Sequence, residues 1–125
     1  ERKAVEIITQ GLIDLNILNG EVNELIETKA YQKFYMHKVG HWMGMDVHDV
    51  GSYGLNGDWR KYSPGMITTI EPGIYFKEDL KNVPKEFINI GIRIEDDVLV
   101  TEKNPEVLTS SVPKNIKDIE KIMES

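Results

Sequence analysis

Apolar residues return at helical intervals over residues 2–18, where Val5, Ile8, Leu12 and Leu15 form a stripe that Ile7 and Leu18 widen. Gly11 weakens this helix, and Asn19-Gly20 supplies a stop. From Glu21 to about Lys33 a second helix is expected, with Val22, Leu25, Ile26 and Ala30 on one side. The pattern then changes to a His/Gly/aromatic stretch, Phe34 to Tyr53, followed by loop-forming residues over 51–65. Met66–Ile70 reads as a strand, broken by Pro72-Gly73 and resumed through Ile74-Tyr75-Phe76. After a polar connection, Lys77 to Glu86, the alternation of Ile88, Ile90, Ile92 and Ile94 with polar residues predicts a strand over 87–100, turned or bulged at Asp96-Asp97. Pro113 opens a short amphipathic helix using Ile116, Ile119 and Ile122. These elements predict an α+β fold with a mostly antiparallel sheet and flanking helices.

Composition narrows the picture. The 125 residues suit one domain or a large piece of one, and 40% hydrophobic with 29% charged residues implies ordinary folded order. The net charge of −6, with basic residues scattered singly or in pairs, argues against nucleic acid or an anionic membrane as partner. Without cysteine there is neither disulfide nor thiolate metal site, which fits a cytoplasmic protein. No apolar run approaches the roughly 20 residues that span a bilayer. The opening Glu1-Arg2-Lys3, charged and already inside a helical pattern, suggests a chain cut from a longer one.

All three histidines, His37, His41 and His48, stand close together in the sequence. One alone would read as a surface or core residue; their clustering raises metal binding or proton transfer, since neutral imidazole does both. Gly40 and Gly44 permit close approach of another group. If the stretch were a strand, alternation would put His41 and His48 on opposite faces unless a bulge intervened. The helical spacing of the common single-zinc proteases is absent. Glu71 ends an apolar strand and is held away from helical geometry by Pro72. It reads equally as a solvent-facing residue before a turn. Glu95 shares a strand face with Arg93, and an exposed pair of that kind contributes about 0–1 kcal/mol. Taken together, one histidine and two glutamates make an oxygen-rich, sulfur-free donor set suited to Mn, Co, Fe or Zn. Asp46, Asp49, Asp96 and Asp97 each adjoin a motif residue without being obvious ligands.

Three segments resemble the pita-bread metallopeptidases in order and spacing: His37–Asp49 with Val50-Gly51, Pro64-Gly65-Met66 through Glu71-Pro72-Gly73-Ile74-Tyr75, and Gly91–Asp97. With helices matching at both ends, the resemblance covers nearly the whole chain. Met36-His37, His41-Trp42 and Asp46-Val47-His48-Asp49 are most similar to the aminopeptidase P branch of that family, with the prolidase branch close behind. The resemblance implies that the chain is the C-terminal portion of a pita-bread (creatinase/aminopeptidase) catalytic domain. It implies His41, Glu71 and Glu95 as metal ligands, Glu95 bridging two divalent ions, with manganese first and cobalt, zinc or iron as alternatives. His37 and His48 would contact the substrate around the scissile carbonyl, Arg93 would orient the metal-binding carboxylates, and Tyr75 would wall the pocket. Two Asp ligands that the family draws from an earlier hairpin have no counterpart in this sequence, so the site is expected to be incomplete.

The activity implied is hydrolysis of a peptide with proline second, in which two cations activate water and Glu71 accepts and passes on its proton. By the same resemblance the full-length protein would be a homo-oligomer, while the segment alone would be inactive. A dipeptidase of the prolidase type and a non-catalytic, protein-binding pita-bread relative are the competing readings.

Overall fold

The computed structural model describes residues 1–124, the side chain of Leu55 excepted. In chain order the elements are α1 (Arg2–Asp14), α2 (Val22–Glu27), β1 (Gly54–Leu55), β2 (Asp58–Trp59), β3 (Ile67–Ile70), β4 (Gly73–Tyr75), β5 (Gly91–Arg93), β6 (Asp96–Leu99), β7 (Glu106–Val107) and α3 (Ile116–Met123), with 3-10 turns at Ala30–Lys33 and Lys85–Phe87. They fall into two units. One takes residues Glu1–Val39 and Pro72–Arg93, the other Gly40–Glu71 and residues 94–124.

In the first unit the helical stripe of α1 is buried at Val5, Ile8 and Leu12, as its period requires. Phe34, Tyr35 and Phe76 complete the core, with Ile26, Ile74 and Phe87 packed against it. The rings of Phe34 and Phe76 lie 5.7 Å apart, and those of Phe76 and Phe87 lie 5.4 Å apart. Both helices stop earlier than their apolar periods suggest. α1 ends at Asp14, not residue 18, because Asn16 takes a left-handed φ of 56° and the chain folds back, Ile17 and Leu18 N–H donating to the Leu12 carbonyl. Lys29, at φ 57°, ends α2 before Lys33 and begins the 3-10 turn at Ala30–Lys33.

The strand anticipated over 87–100 is two strands. Phe87 closes a 3-10 turn and Asn89 takes a φ of 64°, so extended structure starts at Gly91. β5 then pairs antiparallel with β4, Gly73 opposite Arg93 and Tyr75 opposite Gly91. Within this unit the Tyr75 N–H donates to the Phe34 carbonyl, tying the ladder to the helical layer.

The second unit is built on the antiparallel sheet β3-β6-β7. Its register sets Thr69 opposite Asp97 and Ile70 opposite Asp96. β1 and β2 form a hairpin through Asn56-Gly57, both at positive φ (54° and 89°), as a tight turn of this kind requires. α3 starts at Ile116, after extended Asn115, three residues beyond the Pro113 start expected from sequence. Its Ile116, Ile119 and Ile122 are all exposed. Asp96 accepts hydrogen bonds from Thr109 Oγ1 at 2.6 Å and Lys114 Nζ at 2.9 Å. The Thr109 hydroxyl, and after it Lys114, holds the Asp96 carboxyl below the usual carboxylate range. No helix among the described residues is long and apolar enough to cross a membrane.

Candidate metal centre

The second unit brings three chemistry-bearing side chains together. One donor atom from each of His41, Glu71 and Glu95 lies within 4.8 Å of the others. Strand pairing explains the carboxylates. Glu71 follows the last residue of β3 and Glu95 precedes the first residue of β6, and because Ile70 opposes Asp96, residues 71 and 95 are the next opposed positions of that register. Two like charges there repel, which a divalent cation between them would reverse.

His41 arrives by a different route. The stretch from His41 to Asp49 is not a strand; it meets β3 through an isolated antiparallel bridge from Trp42 to Thr68 and through hydrogen bonds on either side of it. The His41 carbonyl accepts from Thr69 N–H at 3.0 Å and from Thr68 Oγ1 at 2.9 Å. Its own N–H donates to Thr69 Oγ1 at 3.0 Å. Gly40 makes this possible, since a Cβ at that position would collide with the Thr69 carbonyl oxygen.

The orientation of the imidazole follows from its partners. His41 Nδ1 lies 2.9 Å from the Trp42 carbonyl oxygen, which can only accept, so Nδ1 carries a hydrogen. In the neutral ring Nε2 is then the lone-pair nitrogen, and it faces Glu71 Oε1 at 3.2 Å. A backbone carbonyl that fixes the tautomer in this way is the usual support of a metal-binding histidine. The side chains of His41 and Glu71 retain 16% and 12% of their exposure, so both are largely removed from water. The donor set, one nitrogen and two carboxylates without sulfur, fits a divalent cation.

His48 lies beside His41, the rings 4.3 Å apart and edge to face. Alternation along a strand had set them on opposite faces; the loop removes that constraint. The Asp49 carboxylate accepts from the N–H groups of Met45 and Val50, and Asp49 N–H donates to the Trp42 carbonyl at 3.1 Å. Trp42 stacks on Tyr53, whose hydroxyl accepts the Trp42 N–H at 3.1 Å. Asp49 thus closes the loop and Asp96 is occupied with Thr109 and Lys114, so neither belongs to the cluster.

The first unit holds His37, Tyr75 and Arg93. His37 Nδ1–H donates to the Lys38 carbonyl at 2.8 Å, leaving Nε2 to accept from the Tyr75 hydroxyl at 2.9 Å. Arg93 ends β5 opposite Gly73, with its side chain exposed. Sequence reasoning missed Thr69, although it lies two residues before Glu71 in a strand and therefore shares that residue's face.

An antiparallel sheet with two carboxylates at its strand ends and an imidazole brought to them by a loop is a donor arrangement suited to a metallohydrolase. The chain belongs to metallopeptidase family M24, whose pattern it matches over residues 2–102, and its fold is of the pita-bread type. It is 54% identical over 121 residues to the Xaa-Pro aminopeptidase of Haemophilus influenzae, a match covering 97% of this chain and 28% of that protein. The structure of Pseudomonas aeruginosa aminopeptidase PepP superposes with a TM-score of 0.91 at 54% identity, over 96% of this chain and 27% of the other. Escherichia coli aminopeptidase P is 48% identical over the same shares, with TM-scores of 0.87 in its complex with the inhibitor Pro-Leu and 0.88 in a zinc-substituted form with product. The chain therefore spans little more than a quarter of the length of the relatives it matches.

Proposed function

We propose that the chain is the C-terminal part of the catalytic domain of an Xaa-Pro aminopeptidase, which releases the N-terminal residue from peptides with proline at the second position. The convergence of His41 Nε2 with the carboxylates of Glu71 and Glu95 carries the reading, and the names of the relatives supply the substrate class. His41, Glu71 and Glu95 would hold divalent metal, Glu95 shared between two ions. Bound metal supplies Lewis acidity and a lowered pKa for water. Manganese, a cytoplasmic setting and a homo-oligomeric full-length enzyme belong to the same proposal and rest on the family resemblance.

Each residue then has a task. Glu71 takes the proton of the attacking water and passes it to the departing amine nitrogen. His48, exposed beside His41, donates a hydrogen bond to the oxygen of the tetrahedral intermediate. His37 contacts the substrate near the scissile bond, and its bond to the Tyr75 hydroxyl fixes the ring while Tyr75 walls the pocket. Arg93 orients the metal-binding carboxylates.

The test is hydrolysis by the metal-loaded full-length enzyme. Cleavage of Ala-Pro-Ala well above Ala-Pro is expected. Cleavage confined to the dipeptide would make the enzyme a prolidase, and cleavage of neither would make it a binding module.

A further inference from the structure

Thr69 is 1% exposed, among the most deeply buried side chains described, yet it is polar and sits among polar groups. Its Oγ1 lies 3.0 Å from the His41 nitrogen and 3.2 Å from Glu71 Oε1. The backbone N–H of His41 can only donate, so the hydroxyl oxygen accepts there. Its one hydrogen is then left for the Glu71 carboxylate. One hydroxyl thus spans two candidate ligands that arrive from different parts of the chain, one from a loop and one from the end of β3.

We infer that Thr69 is a positioning residue, which sets His41 and Glu71 at the mutual distance a metal ion requires. The inference rests on the metal-site reading above and adds a member to it. Three features distinguish this role from ordinary filling of the interior. The hydroxyl's donor direction is dictated, because a carboxylate oxygen can only accept and the His41 N–H can only donate. The bond falls on Oε1, the same Glu71 oxygen that faces His41 Nε2, so it acts directly on the spacing between carboxylate and imidazole. The Thr69 backbone N–H also donates to the His41 carbonyl, so one residue fixes both backbone polar groups of a candidate ligand. Valine matches threonine in shape and keeps that backbone bond, but it severs the side-chain link.

The experiment is calorimetric titration of manganese into the metal-free full-length enzyme, for wild type, Thr69→Val and Thr69→Ser, each checked for folding by circular dichroism. Loss of a hydrogen bond that orients a ligand typically lowers metal affinity about 10–100-fold. A drop of that size is expected in Thr69→Val, with affinity close to wild type in Thr69→Ser. Equal affinity in wild type and Thr69→Val, or an equal loss in the serine and valine variants, overturns the role of Thr69 while leaving the metal site standing. If the valine variant does not fold, Thr69→Ser against Thr69→Ala decides: tighter binding by serine supports the role and equal binding overturns it. A wild-type enzyme that binds no manganese overturns both this inference and the metal reading beneath it.

Discussion

In the unit formed by residues Glu1–Val39 and Pro72–Arg93 the buried side chains are Val5, Ile8, Leu12, Phe34, Tyr35 and Phe76, with Thr9 as the polar exception, whereas in the other unit the most deeply buried of the described side chains are Thr68 and Thr69. The first interior is held by burial of apolar surface, which is non-directional and tolerant of small shifts. The second is held by hydrogen bonds whose donors and acceptors must meet at about 3 Å with correct angles. Large apolar side chains of the second unit, Val47, Val50, Trp59 and Ile116 among them, remain mostly exposed. One unit contributes stability and the other contributes precision, and their responses to substitution should differ accordingly.

The largest expected effect is that of Glu71→Ala in the full-length enzyme. It removes a donor and leaves an open coordination position, so metal content and turnover should fall together while the metal-free protein keeps its fold. Metal analysis beside cleavage of an Xaa-Pro peptide checks this, and full metal occupancy in the variant would remove Glu71 from the ligand set. Leu12→Ala comes next. Leu12 is fully buried, and truncation there should cost about 2–5 kcal/mol of stability. Its signature is the reverse of the first: a lower denaturation midpoint with metal stoichiometry unchanged below the transition. If Leu12→Ala loses metal before it loses structure, the two units do not divide their tasks as described.

His48→Ala sharpens the contrast inside the second unit. His48 touches the His41 ring but makes no part of the three-residue cluster. Its loss should lower kcat about 10²–10³-fold, in line with removal of one donor to a developing oxyanion, with metal content near normal. Loss of metal as complete as in Glu71→Ala would instead make His48 a ligand or the support of one. The smallest effect belongs to Lys114→Met, which removes a partly exposed ion pair with Asp96 and a bond to the Thr109 carbonyl at 2.9 Å. A stability loss of about 1 kcal/mol in thermal unfolding is expected, with no change in metal affinity.

Much of the first unit was legible from local pattern. A helical period of apolar residues can be satisfied only by burying one stripe, and Val5, Ile8 and Leu12 are buried as that rule demands. Helix ends were less legible, because Lys29 adopts left-handed geometry that its residue type does not announce, and at Asn16, a type that does favour it, the turn comes before the Asn19-Gly20 stop. The alternation of Ile88, Ile90, Ile92 and Ile94 misled for a related reason. Period two describes a half-buried strand, yet Ile90, Ile92 and Ile94 are all exposed, and β5 and β6 pair with different partners.

The sequence by itself determined which kinds of donor are available, imidazoles and carboxylates with no thiolate to compete, among them His41, Glu71 and Glu95, and it set the local backbone freedom at Pro72 and Gly40. The side chains themselves carry that chemistry, so it is present before folding. Tertiary structure alone decided that the three meet. The register of β3 against β6 places residues 71 and 95 at opposed positions, and a loop without period brings His41 to them. The tautomer of His41 and the bridging hydroxyl of Thr69 were decided at the same level. A hydrogen bond depends on the distance and angle between two groups, and residues 28 positions apart, as His41 and Thr69 are, acquire a fixed distance only when the chain between them is folded.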